Sequence, residues 1–600
     1  MSDRPMTEIT KDKPSFMRAS LPTLVIAASC LTAAVCVQGA VPVVHLEKSN
    51  GVGEAWQDVP AGNLATTPEG GLMDAADTGT AFYRLRIQRT DPSGIPAGFA
   101  LAEVSQEAVA IAQDHLSNCG EDDWQNAMLG PVVYPVYNPA VNGGNTPAYL
   151  EFKVIRRAPQ AGAAGPFNSP PLDQKTDLGF ILVSLTRQDM PIPEFSTEGL
   201  TRVEKLRSLA KTSQVKAVRY SQAVLVAENA KGEAVANLGV MPVQFPDAIL
   251  DFATNRTESV VQDGIPVAGP DIPNFSGAPF NSFAQFKEAY LNAPLYQKLR
   301  GFQAIAAKAA WQLRDGTPPA LIEVSLQVDT NILNAKPIVR FDVEDPGIVS
   351  LQIVPGQPGL KATGLKTGGT LLRVFYAGGD GDSFVIQVGS APKQAKGWGS
   401  WATYYAGSWD DQKRYSQEWA LSGCCSAGWS GCGPTAWAML YGYWDGHGVT
   451  SLIGGSGSTP MYDNSYVDSC IQYVFGWVGT YCVGNQAATN PWQMDQGYRW
   501  AGHQGAHISI STTWNVPYLS SGPRNKAIQS IRDYARPALV GTGYYEHYPM
   551  AYGYKYRTYT SWGITWDTQR YWKVNNGQGD SSPIWVDAGS CWFGSNGYCY

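Results

Sequence analysis

Gly431-Cys-Gly-Pro-Thr-Ala-Trp-Ala-Met-Leu-Tyr-Gly-Tyr-Trp444 is the stretch on which the reading of this chain turns. Pro434 suits the first turn of a helix, where its missing N–H costs nothing. Trp437, Leu440, Tyr441 and Trp444 then recur at helical spacing and predict a buried face. Cys432 therefore stands just before a helix N-terminus, where unpaired amides and the positive end of the dipole favour a thiolate. Gly431 and Gly433 let a second backbone approach closely. The plain alternative for Cys432 is a disulfide, which its two glycine neighbours suit poorly.

A nucleophilic thiolate needs a base. His447, His503, His507 and His547 are the histidines of this region. His447 lies fifteen residues past the cysteine, about 20 Å away at 1.5 Å per helical residue. Asn525 to Ala535 has helical spacing and Ala538-Leu-Val-Gly-Thr-Gly543 reads as a buried strand. His547-Tyr-Pro-Met-Ala-Tyr-Gly-Tyr554 reads as the start of the next strand, where an imidazole can face a cleft. His547 is the expected base, with His503 and His507 as alternatives. An orienting acceptor for its second N–H is expected at the end of Arg570-Tyr-Trp-Lys-Val-Asn-Asn-Gly-Gln-Gly579, at Asn575 first and Asn576 next. The competing reading of Asn576-Gly577 is a hairpin turn.

The Gly-Cys-Gly-Pro-Thr-Ala signature at 431–436 resembles that of the double-glycine leader peptidases and their secreted relatives. Arg-Pro-Ala-Leu-Val-Gly at 536–541, His-Tyr-x-x-Ala-Tyr-Gly-Tyr at 547–554 and Tyr-Trp-x-Val-Asn-x-Gly at 571–577 resemble papain-like and streptopain-like enzymes, in the order Cys, His, Asn. The resemblance implies a papain-like α+β peptidase domain over 396–600 and an oxyanion-holding glutamine. Two departures stand out. Leader peptidases use Asp as the third residue where Asn stands here. The nearest glutamine is Gln417, fifteen residues ahead of Cys432, so Ser422-Gly-Cys-Cys-Ser-Ala-Gly428 must loop out to leave it in place.

Six hundred residues exceed one hydrophobic core, so several domains are expected. The apolar fraction of 44% and charged fraction of 16% describe a globular chain. A net charge of −7 without basic runs points away from nucleic acid and anionic membrane surfaces. Lys11, Lys13 and Arg18, then an apolar run from Leu21 to Val37, then Gly39 and Ala40, read as an export signal over 1–40, cleaved or kept as an anchor. The expected location is thus secreted or at the cell surface. Seven of the eight cysteines beyond the signal fall after residue 400, which suggests disulfides in an exported protein. Cys470 with Cys482 and Cys591 with Cys599 are near enough to pair locally, although spacing alone does not fix the connectivity.

Trp56, Trp124 and Trp311 are the only tryptophans before residue 395, out of 19. This change of composition coincides with the linker-like Gly389–Gly399 and predicts the main boundary. Upstream, 41–240 reads as an α+β domain, with strands at Ala148–Ile155 and Gly179–Ser184 and a helix over Ser105–Asn118. The Tyr-x-Glu-Phe strand followed by Gly-Phe-Ile-Leu-Val-Ser resembles streptopain-like propeptides. Residues 241–318 read as a helical connection, centred on 277–314. Residues 319–392 read as β, with strands at 347–353, 361–375 and 383–388, and resemble a bacterial immunoglobulin-like domain. Such a unit implies a spacer or adhesion role.

The expectation is an α+β multidomain chain: a secreted cysteine peptidase acting on proteins or peptides through Cys432, His547, Asn575 and Gln417. Residues 41–240 would form an inhibitory prodomain, released near 390–400. The alternatives are a cell-wall peptide amidase and an adhesion protein with a retired peptidase fold. Neither a metal nor a cofactor is expected: Cys-x-x-Cys pairs are missing and the histidines are scattered.

Overall fold

The computed structural model describes 41–49, 57–58, 64–66, 72–74, 82–90 and 96–600, with breaks at 158–176, 240–242, 246–248, 253–257, 269–277, 281, 335, 356, 378, 390–396, 418–423, 426–429, 455–464, 484–485, 520, 562–563 and 579–582. The expected signal at 1–40 and most of the linker near 390–400 lie outside the described residues. Mixed α and β structure with large sheets makes up the chain.

Contacts divide the chain between Pro92 and Ser93, inside the expected 41–240 domain. In the first unit Val41–Ser49 pairs antiparallel with Phe82–Thr90 along its whole length.

Residues 93–600 form the second unit. Long-range strand pairing joins its two halves. Ala127–Tyr137, Pro147–Arg156 and Asp177–Ser184 form an antiparallel series, the last two on the runs 148–155 and 179–184 that the sequence predicts as strands. The series continues through Glu194–Ser196 to Ile584–Asp587, then to Ile564–Asn575 and Met550–Ser561. Met550–Ser561 pairs with Ala538–Gly541, which joins Phe593–Cys599 and Ile508–Trp514. Glu258–Gln262 closes the far edge on Ile508–Trp514. Strands from the first half thus stand at both flanks of strands from the last third.

The cores are shared in the same way. Gln106–Asn118, capped by Ser105, buries Ile111, Ala112 and Leu116 in a cluster that also holds Phe152, Phe195, Tyr571 and Trp585. Phe283–Asn292 and Pro294–Arg314 form as the helical spacing predicts, the second opening on a proline at its first position. Leu299 packs in the cluster that contains Cys432, while Trp311 reaches the one around Phe195. The region read as a helical connection also contains the hairpin Glu258–Gln262 with Ile265–Ala268.

Between 320 and 388 lie a four-stranded and a three-stranded sheet, with Leu360, Ala362, Leu372, Val374 and Ile386 in their common core. The run read as one strand at 361–375 is two, Gly359–Gly364 and Gly368–Tyr376, which enter different sheets. Glu344 anchors this two-sheet unit to the last third, its carboxylate meeting Arg373 at 2.9 Å, Arg524 at 2.8 Å and Arg570.

Candidate functional site

The helix Cys432–Gly446 begins at the nucleophile candidate. Gly431 precedes it with φ +86°, a left-handed conformation that suits glycine. Gly433 faces Thr489, whose Oγ1 would lie 2.3 Å from an added Cβ. Both glycines thus let the strand Gln486–Thr489 close against the first turn. Trp437 Nε1 donates to the Met494 carbonyl at 2.8 Å and Tyr441 Oη to the Gly497 carbonyl at 2.8 Å, which fixes the helix axis.

Cys432 is 4% exposed and His547 5%. The backbone amides of Cys432, Gly433 and Tyr548 point at the sulphur and favour its charged form. Tyr548 adjoins His547, so the helix start and the histidine loop meet at this sulphur. Burial outweighs the amides and pushes the thiol up to about 11. Burial likewise pushes the imidazole down to about 4, against the opposing influence of Asn576. Each shift favours the uncharged form, thiol and imidazole, over the thiolate expected from the helix dipole alone, because desolvation penalises an isolated charge.

His547 stands in a bridge with Thr542, three residues ahead of the strand it was expected to open. Its Nδ1 is buried with no hydrogen-bond partner among the described residues, so it is free to take a proton. Asn576 lies against the ring with both its side chain and its backbone. Asn575, expected first as orienter, is bonded elsewhere. Its Nδ2 donates to the Lys413 carbonyl at 2.7 Å and its Oδ1 accepts from the Gly577 amide at 3.1 Å. Those bonds tie the strand end to the segment before the cysteine and leave Asn576 to face the imidazole.

Gln417 is brought to the same place by that tie. Its amide donates to the Gly577 carbonyl at 2.7 Å, and its carbonyl accepts from Ser430 Oγ at 3.3 Å. Ser430 in turn lies 3.1 Å from Thr435 in the first turn of the helix. The Gln417 side chain is fully buried, and neither of its amide atoms has a partner among the described residues. A buried, unbonded amide costs free energy and is poised for a ligand atom.

The remaining histidines are occupied elsewhere. His447 bonds the Tyr443 carbonyl at 2.7 Å at the far end of the helix. His503 stacks on Tyr473, with ring centroids 4.5 Å apart, and His507 on Tyr600 at 5.6 Å.

Cys425 and Cys482 form the disulfide seen among the described residues, while Cys470, Cys591 and Cys599 are free and buried. Neither locally spaced pair forms. Cys591 belongs to the core around Trp572 and Cys599 to the one around Cys432. The disulfide instead ties the loop before Cys432 to the hairpin Thr480–Val483 with Gln486–Thr489.

Sequence reading did not find the Tyr548 amide or Glu546. A backbone amide has no sequence signature, and the partner of Glu546, Ser221, lies more than three hundred positions away. Among the described residues no group of three or more His, Cys, Asp or Glu could hold a metal ion. Compared with known proteins, the chain matches no protein-family model and no curated protein.

Proposed function

We propose that this chain is a secreted cysteine peptidase that hydrolyses peptide bonds in proteins or peptides. Its last third would be a papain-like domain, and the two-sheet unit over 320–388 an immunoglobulin-like one. One observation carries the reading: Cys432 opens a helix, and its sulphur meets the Tyr548 amide beside a histidine with a free Nδ1 and an asparagine at its ring. The unpartnered Gln417 amide, held to the same strand end, supports it.

In this reading a peptide carbonyl enters between Gln417 and the helix start. His547 Nδ1 takes the Cys432 proton as sulphur attacks the carbonyl carbon, and Asn576 steadies the imidazolium. The Cys432 amide and Gln417 Nε2 hold the oxyanion. The imidazolium protonates the leaving amine, the C–N bond breaks, and a thioester remains. Water, deprotonated by His547, then releases the acid and regenerates the thiol.

Casein hydrolysis by the full chain tests the proposal, with iodoacetamide-modified cysteines mapped in parallel. Cys432→Ala and His547→Ala each abolish hydrolysis, and iodoacetamide inactivates wild type in step with alkylation of Cys432. Unchanged hydrolysis by Cys432→Ala would end the peptidase reading.

A further inference from the structure

His547 closes a four-residue loop, Gly543-Tyr544-Tyr545-Glu546, pinned by two backbone bonds to Thr542 of 2.9 and 3.3 Å. The loop is strained: Tyr545 has φ +66°, a left-handed conformation that brings its Cβ too close to the following carbonyl oxygen. Such a conformer persists only where its surroundings over-determine it.

The chain upstream of residue 304 supplies much of those surroundings. Ser221 Oγ hydrogen-bonds the buried Glu546 carboxyl. Ala223 lies so close to Gly543 that an added Cβ would stand 3.1 Å from its own. Tyr544 bonds Gln303 through its hydroxyl and meets the Tyr296 ring at 6.4 Å. Phe245 packs edge-on against Tyr545 at 6.0 Å. Tyr518 and Trp592 of the last third complete the packing, at 6.2 Å from Tyr544 and 5.2 Å from Tyr545, while Ser221 grips the residue directly before the histidine.

We infer that Ser221 is a positioning residue for His547, acting through Glu546, and that the first half of the chain remains part of the working enzyme. This rests on the peptidase reading. It replaces the expectation of a shed inhibitory prodomain, because cleavage near 390–400 with loss of the upstream chain would remove the socket of the histidine loop. The strands Glu194–Ser196 and Glu258–Gln262 would leave with it, baring edges of Ile584–Asp587 and Ile508–Trp514.

The test compares wild type, Ser221→Ala and Ser221→Thr as full chains for kcat, KM, melting temperature and the rate of Cys432 alkylation. N-terminal sequencing identifies the active species. Losing the Glu546 contact should lower kcat about tenfold to a hundredfold, as small misplacements of catalytic groups do, with KM and melting little changed. Cys432 alkylation slows as well, and Ser221→Thr, which keeps the hydroxyl, restores most of the rate. Tyr544→Phe, which removes only the bond to Gln303, gives a smaller loss of the same kind and serves if Ser221→Ala does not fold. Wild-type kcat in both Ser221→Ala and Tyr544→Phe, or an active species beginning near Gly399, overturns the inference while leaving the peptidase reading intact. A wild-type chain without hydrolysis or His547-dependent alkylation of Cys432 sinks both.

Discussion

Replacing Gln417 by methionine separates catalysis from stability in a way the geometry makes quantitative. The side chain is fully buried with neither amide atom bonded among the described residues, while its backbone amide and carbonyl bond Gly577 and Ser430. The substitution leaves those backbone bonds alone and keeps the volume of the side chain. Leaving a buried polar group unbonded costs about 1–3 kcal/mol, so Gln417→Met should be neutral or stabilising by up to about that amount. Removing an oxyanion donor costs about 10² to 10³ in kcat, roughly 2.7–4 kcal/mol of transition-state stabilisation. Steady-state hydrolysis of a fluorogenic peptide gives kcat and KM, and a thermal melt gives stability. The expected result is a large fall in kcat, little change in KM and an equal or higher melting temperature. Unchanged kcat, or a lower melting temperature with activity lost only in proportion to unfolded protein, would refute the reasoning.

The two asparagines should part company. Asn576→Ala should slow hydrolysis with little effect on melting, while Asn575→Ala, which strips partners from the Lys413 carbonyl and Gly577 amide, should destabilise by about 1–3 kcal/mol in urea titration. Burial pushes Glu151, Glu546 and Asp587 up to about 7, so the folded chain holds protons there that the unfolded chain, with values of 4.5, 4.5 and 3.8, has released. Their contribution is fully present below the unfolded values and is lost as pH rises through 7. His547, pushed from 6.5 down to about 4, acts in the opposite sense and loses its contribution only as pH falls through that window. Stability should therefore drop by a few kcal/mol, on the order of one per carboxyl, between pH 6 and 8; a flat or rising urea midpoint would contradict it. Reducing the Cys425–Cys482 bond, whose cysteines are 57 residues apart, removes a constraint of about 4 kcal/mol in the loop-closure account. Dithiothreitol should lower the melting temperature, and a non-reducing peptide map should show that link with Cys591 and Cys599 unpaired.

The helix start at Cys432 was legible because Gly-Cys-Gly-Pro joins a helix N-terminus to close backbone approach, both local properties. His547 was legible by exclusion and by the strands flanking it, although the loop that carries it was read as a strand start. The choice between Asn575 and Asn576 was not. It depends on where the strand Ile564–Asn575 ends and on the shift in pairing between Ala551 and Gly553, and a bulge leaves no trace in residue types. The disulfide was not legible, because nearness in sequence does not fix nearness in space: Cys591 and Cys599 face different cores. The contribution of the first half of the chain to the histidine loop was invisible for the same reason: Ser221 and Glu546 stand 325 positions apart.

Glu344, ringed by Arg373, Arg524 and Arg570, changes what the two-sheet unit can be. A spacer works by swivelling, and a swivel needs an interface that water can enter. This one keeps its charges in the interior, where freeing one partner from the others costs about 3–5 kcal/mol. The unit therefore moves with the rest of the body as one piece. Whatever surface it presents is held at a constant bearing to the helix that opens at Cys432, as a gunsight is to its barrel.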